Sequence, residues 1–257
     1  MSSINNVIIT GASSGIGYQL AHVYASPHTK LGLIGRDKER LNQCVSECVQ
    51  KSALVDSLVC DVRNDTVLKD WILNFDSTNP VDLIIANSGI INAEVSSCEF
   101  EELSIVKDIF EVNFYGTLNT VMPLLNKMIE RQRGHIAIMC SLSAYYGLPV
   151  SPAYSMSKAS LLVYFQALRE QLKRNGIILS IICPGYIDTP MTEQLPISKP
   201  FMLNPHKAAM IIKKGIEKEK RLVAFPFLMK LAMKIIQIIP PVFADKILYK
   251  LCSPRPK

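Results

Sequence analysis

Tyr154 and Lys158, four residues apart in the run Tyr154-Ser155-Met156-Ser157-Lys158, are the pair in this 257-residue chain best suited to chemistry. On a helix this spacing stacks phenol and ammonium on one face, where both can reach one reacting atom. A free phenol titrates near ~10 and is a weak base at neutral pH, but a neighbouring cation favours its ionised form. Such a phenol can exchange a proton with a substrate oxygen. The same spacing also occurs as an ordinary surface pair, so the motif gains meaning from its company. Ser141 follows the apolar run Ile136–Cys140. Strand C-terminal ends form the ligand crevice of open α/β sheets, and a hydroxyl there can bond a carbonyl oxygen as charge develops on it. Ser143, two positions on, competes for that role.

A second constellation lies near the start. Thr10-Gly11-Ala12-Ser13-Ser14-Gly15-Ile16-Gly17 stands between an apolar run, Val7 to Thr10, and a helical stretch, Tyr18 to Ala25. Strand, glycine turn and helix in that order make a site for the pyrophosphate of a dinucleotide, with glycines permitting the turn and helix N–H groups facing the anion. Residues Gly11, Ser13, Ser14, Gly15, Ile16 and Gly17 are the expected contacts. An acid at the end of the second strand would bind a ribose 2′-hydroxyl, as in NAD; this chain has Gly35-Arg36 there, which points to the 2′-phosphate of NADP(H). NAD(H) stays open as the alternative, because Arg36 beside Asp37 also reads as a solvated cation at a helix start.

Around these motifs, short apolar runs alternate with helical periodicity. Val7–Thr10, Leu31–Gly35, Ser57–Asp61, Leu83–Asn87, His135–Cys140, Ile177–Cys183 and Leu222–Phe225 read as strands. Asp37–Gln50, Asp65–Phe75, Phe100–Arg131, Ser155–Arg174 and Asn204–Lys220 read as helices, the third bent at Pro123. The expected fold is α/β, a doubly wound parallel sheet of about seven strands (a Rossmann fold) with helices on both faces. Residues 1–224 form one catalytic domain and 225–257 an apolar, basic, helical extension.

The glycine turn, read as TGxxxGxG, together with YxxxK, resembles the short-chain dehydrogenase/reductase family, and the likeness runs from about Asn6 to Met191. Two further segments are similar to family motifs: Asn87-Ser88-Gly89, with Ser where the family has Ala, and Pro184-Gly185-Tyr186-Ile187-Asp188-Thr189. The resemblance implies that Tyr154 is the acid/base, that Lys158 lowers its pKa and holds the nicotinamide ribose, and that Ser141, chosen over Ser143 by its separation from the tyrosine, orients substrate. It further implies that Asn113 completes a proton relay, that Asp61 and Val62 border the adenine, and that Asn87 and Gly89 line the cofactor path. Pro184, Gly185 and Thr189 would flank the nicotinamide. Asn87 also suits a strand-ending turn, and Asn113 a mid-helix polar residue bonded to backbone. Dimers or tetramers are implied by the same likeness.

Seven cysteines, an odd number without CxxC or His-rich spacing, indicate neither a disulfide framework nor a zinc site, so reduced thiols, no metal and a cytoplasmic protein are expected. Six residues before the first apolar run are too few for a signal peptide. Of the six net positive charges, five lie between residues 226 and 257, where six cations face Asp245 alone. That confinement, without a recognition motif, excludes nucleic-acid binding. From Phe225 to Ile239, Lys230, Lys234 and Gln237 fall on a helical face opposite Phe227, Leu231, Ile235 and Ile238; Lys246 and Lys250 repeat the theme. The apolar face can pack on the body or a second subunit, or residues 225–252 can lie peripherally on anionic lipid. Thr192 to Leu203, punctuated by proline, suits a substrate lid. The function read from these residues is an NADP(H)-dependent carbonyl reductase acting on a small-molecule ketone or secondary alcohol. An NAD-linked alcohol dehydrogenase and a non-catalytic NADP-binding sensor or scaffold are the alternatives.

Overall fold

The computed structural model describes residues 4–92 and 100–252; Cys98, Arg255 and Lys257 fall outside them. Among the described residues, seven strands form one parallel sheet in the order β3-β2-β1-β4-β5-β6-β7. They are β1 (Asn6–Thr10), β2 (Lys30–Gly35), β3 (Leu54–Val59), β4 (Leu83–Ala86), β5 (Gly134–Met139), β6 (Ile177–Pro184) and β7 (Leu222–Phe225). The central strands are runs such as Val-Ile-Ile and Leu-Ile-Ile-Ala because a parallel sheet is covered on both faces and leaves no side for polar residues. Strand order reverses where β1 lies between β2 and β4, and the gap beyond their carboxyl ends is the natural crevice of a doubly wound sheet.

Helices α1 (Gly15–Tyr24), α2 (Lys38–Gln50) and α8 (Pro205–Glu217) cover one face through Leu20, Leu41 and Ile212. The other is covered by α3 (Asp65–Thr78), α5 (Gly116–Glu130) and α6 (Pro152–Arg174), which bury Leu68, Leu124 and Phe165. Two shorter helices, α4 (Leu103–Phe110) and α7 (Pro190–Glu193), flank the crevice, and α9 (Phe227–Ile238) and α10 (Pro241–Cys252) close the described chain.

Three local expectations need correction. β3 begins at Leu54 and ends at Val59 where Ser57–Asp61 was expected. It is an edge strand with Leu54 65% exposed, so its apolar pattern is weak and the buried Cys60 drew the boundary inward. The single helix expected over 100–131 is two, α4 and α5, joined by a π-helical turn at Glu111–Tyr115. Its irregularity lies at this turn, while Pro123 sits within α5. In α9 the stripe Phe227, Leu231, Ile235 and Ile238 does not pack on the body: these residues are 70, 44, 51 and 83% exposed. A third sector, Met229, Met233 and Ile236, is the one that packs, so the helix has a packing, an apolar exposed and a cationic side. α10 is held by Ala244 and Leu248 against Ile236, and by the Tyr146 hydroxyl donating to Asp245 at 2.7 Å.

Candidate active site

The glycine turn is held by the neighbouring strand. Asn87, at the end of β4, donates from Nδ2 to the Thr10 carbonyl at 2.9 Å, and its own N–H reaches Thr10 Oγ1 at 3.1 Å. Gly11 sits at φ +69°, which costs a side-chain-bearing residue about 1–2 kcal/mol. A Cβ on Gly17 would strike the Gly11 carbonyl and Asn87 Nδ2, so this glycine allows α1 to approach the turn. Ser14 caps α1 without a side-chain capping bond, which leaves first-turn N–H groups directed at the crevice. Thr189, after β6, rests against the turn from the other side; a Cβ on Gly15 would lie 3.1 Å from its Cγ2.

The resulting cleft, about 390 Å³, runs from Arg36 at the end of β2, past the glycine turn, to Tyr154 and Lys158. Gly11, Ser13, Ser14, Gly15, Ile16, Asn87, Gly89, Pro184, Gly185 and Thr189 all line it, whereas Gly17 stands behind the turn as packing. Beyond the end of β3 the wall is Cys60 and Val62. Asp61 turns its carboxylate to Arg63, which donates from its N–H at 2.9 Å and from Nε at 3.0 Å, and to Arg36 at 3.3 Å. The bonds from Arg63, with those from Arg36, hold the Asp61 carboxyl down at about 2. Arg40, in the first turn of α2, lines the same rim. Sequence reading missed it, although the i, i+4 spacing of the two arginines was the signal.

At the far end, α6 starts at Pro152, so Tyr154 and Lys158 project from its first turns toward the ends of β4 and β5. Lys158 Nζ donates to the Met139 carbonyl at 3.0 Å and lies 5.6 Å from the centre of the Tyr154 ring. Burial lowers the Lys158 pKa to about 8. It pushes that of Tyr154 up to about 12, against a hydrogen bond with Ser141 that pulls it down. Ser141 Oγ accepts from the Ser143 N–H at 3.1 Å. The buried Ser143 hydroxyl has no hydrogen-bond partner among the described residues.

Asn113 is fully buried in the π-helical turn. Its Oδ1 accepts from Ile90 N–H at 2.8 Å, and its Nδ2 donates to the Ile90 carbonyl at 3.0 Å and to Ser157 Oγ at 2.9 Å. It thereby clamps the Gly89–Ile90 backbone beside Lys158; a Cβ on Gly89 would lie 3.4 Å from Nζ. The geometry is that of a polar helix residue bonded to backbone, here the backbone of Ile90. Beyond Tyr154 lies an apolar recess of about 70 Å³, walled by Leu142, Leu195 and Ile197 from the segment after α7, and Met229 from α9.

Apart from the cleft, His22, Cys44 and Cys48 bring potential metal-ligand atoms within 4.8 Å of one another, a grouping the sequence hid because it joins α1 to α2. Both thiols are in the core, and the His22 ring pairs with Glu47 at 2.9 Å. All six cysteines among the described residues are free thiols.

A doubly wound sheet with a glycine turn at its reversal point, and a half-buried tyrosine beside a buried lysine across the cleft, is the architecture of a dinucleotide-dependent oxidoreductase. The chain belongs to the short chain dehydrogenase family, whose model matches residues 5–199, and is an NAD(P)-dependent oxidoreductase acting between CH–OH and C=O. It is 30% identical to ketoacyl reductase HetN of Nostoc over 217 residues, covering 82% of this chain and 75% of that protein. Its fold is similar to that of a short-chain dehydrogenase from Sphingobium yanoikuyae in complex with NADPH, at TM-score 0.78 and 20% identity, over 92% of this chain and 96% of the other. One from Mycobacterium paratuberculosis bound to NAD matches at TM-score 0.75 and 21% identity, over 86% and 94%.

Proposed function

We infer that this protein is an NADP(H)-dependent carbonyl reductase that returns a ketone to its secondary alcohol. The observation that carries the reading is the pairing, in one cleft, of an arginine rim at the end of β2 with Tyr154, Lys158 and Ser141 at the ends of β4 and β5. The residues fit the cofactor: the turn at Gly11 and Gly15, both at positive φ, presents backbone to the cleft, and Arg36 and Arg40 on its rim would meet a 2′-phosphate. When bound, the nicotinamide exchanges a hydride with the substrate carbon. Ser141 bonds the substrate oxygen, the Tyr154 hydroxyl gives it the proton that completes the alcohol, and Lys158 stabilises the phenolate left behind. Asn113 positions the Gly89–Ile90 backbone next to that lysine. The ketoacyl reductase among its relatives supports a ketone as substrate.

The test is a panel of ketones followed by NADPH absorbance, run beside Tyr154→Phe. Turnover falling at least about a hundredfold with NADPH binding retained is the expected result; turnover surviving the change removes Tyr154 from its role. Binding without turnover across the panel would favour the sensor reading. For the cofactor, Arg36→Asp is expected to cut the NADP-to-NAD preference about tenfold or more, the loss of one charge-assisted contact; an unchanged ratio of kcat/KM values would defeat the NADP assignment.

A further inference from the structure

The two C-terminal helices expose apolar surface that the chemistry does not use. α9 turns Phe227, Leu231, Ile235 and Ile238 away from the body, and α10 buries only Ala244, Leu248 and Cys252, leaving Phe243 and Leu251 exposed. Lys230, Lys234, Lys246 and Lys250 border this surface, and Asp245, the one acid on the two helices, is engaged by Tyr146.

We propose that this face of α9 and α10 is a docking surface for an anionic lipid bilayer, with both helices lying in the headgroup plane. Each helix carries its exposed apolar side chains at helical spacing on the side away from its packed residues, the kind of surface that marks an interaction site. No helix among the described residues is long and apolar enough to cross a membrane, so the helices meet a bilayer from one side. Lysines flanking an apolar stripe are the composition that interfacial helices carry. Charge selects lipid over a second copy of this chain: a two-fold contact through the patch would set its lysines against themselves, whereas anionic headgroups neutralise each of them. Position adds a purpose. α9 also supplies Met229, from its packing side, to the apolar recess beside Tyr154, so the docked helix is itself one wall of that recess. In this last respect the inference rests on the carbonyl reductase reading, and the substrate it names is an apolar carbonyl compound carried in the bilayer.

The test is flotation of the full chain with vesicles of phosphatidylcholine alone or with about a third phosphatidylglycerol, at low salt. Binding to the anionic vesicles alone is expected, weakened near about 0.5 M salt by screening. Lys234→Glu with Lys250→Glu should lower the bound fraction about tenfold or more, and Ile235→Ser with Ile238→Ser should lower it as well. In both pairs the thermal melt and turnover of a water-soluble ketone should stay unchanged. Absence of flotation, flotation indifferent to charge reversal, or a dimer in light scattering that Ile235→Ser splits would each overturn the proposal. Flotation is read without turnover, so failure of the reductase reading leaves the docking result standing.

Discussion

At the scale of single residues, the site is a set of polar groups withdrawn from water and tied to one another. Lys158 shows the cost. Its pKa, lowered by burial to about 8 from an ordinary value of 10.5, means that the unfolded chain binds more protons than the folded one between those two values. Stability attributable to this group therefore rises as pH climbs from about 8 to about 10.5, and its penalty is fully present below about 8. Lys158→Met should abolish activity yet raise the neutral-pH unfolding free energy, by on the order of 1–3 kcal/mol. Urea melts at pH 7 and pH 10 check this: the substitution's advantage should shrink at the higher pH. Ser143 supports a different expectation. Its hydroxyl is buried at the recess without a partner, so Ser143→Ala should leave stability within about 1 kcal/mol, because no protein bond is lost. A rise in KM for substrates with a second oxygen near the carbonyl, with kcat for simple ketones preserved, would identify it as a substrate contact.

At the scale of elements, the π-helical turn between α4 and α5 places Asn113 inward, where it supplies both bonds to Ile90. Asn113→Ala should cost about 2–4 kcal/mol by stranding the buried N–H and C=O of Ile90, and should lower kcat by loosening the backbone beside Lys158. Chemical denaturation and steady-state kinetics read the two effects separately. Much of this frame was legible in advance. The central strands are continuous apolar runs, and glycine, tyrosine and lysine fall at strand and helix ends where the chain has few alternatives. What stayed hidden depended on partners. β3 is an edge strand, so four of its six residues face water and its register comes from β2. The turn at Asn113 leaves no trace in a helical periodicity that continues on either side. Spacing alone revealed the two sides of α9 but not that a third, Met229 and Met233, would be the one to pack.

At the scale of the whole molecule, the arginine rim of the cleft and the apolar recess beyond Tyr154 draw on different parts of the chain: α2 and the end of β2 for the first, the segment after α7 and α9 for the second. On the proposed reading, Met229→Ala should change substrate KM severalfold and by more than it changes the Kd for NADPH, measured by fluorescence, because Met229 walls the recess and meets the cleft only through Gly185, which the two share. The bond from Asn87 to the Thr10 carbonyl has the widest consequence. Because a side chain from another strand already moulds the turn, the free protein has met the conformational expense of the nucleotide seat before any nucleotide arrives, and association can be close to lock-and-key. If Arg36 and Arg40 read the ribose as proposed, choice between the two dinucleotides rests at the exposed rim and not at the phenol. Evolution or an engineer can thus rewrite which electron carrier this scaffold uses without retuning the centre where the proton moves.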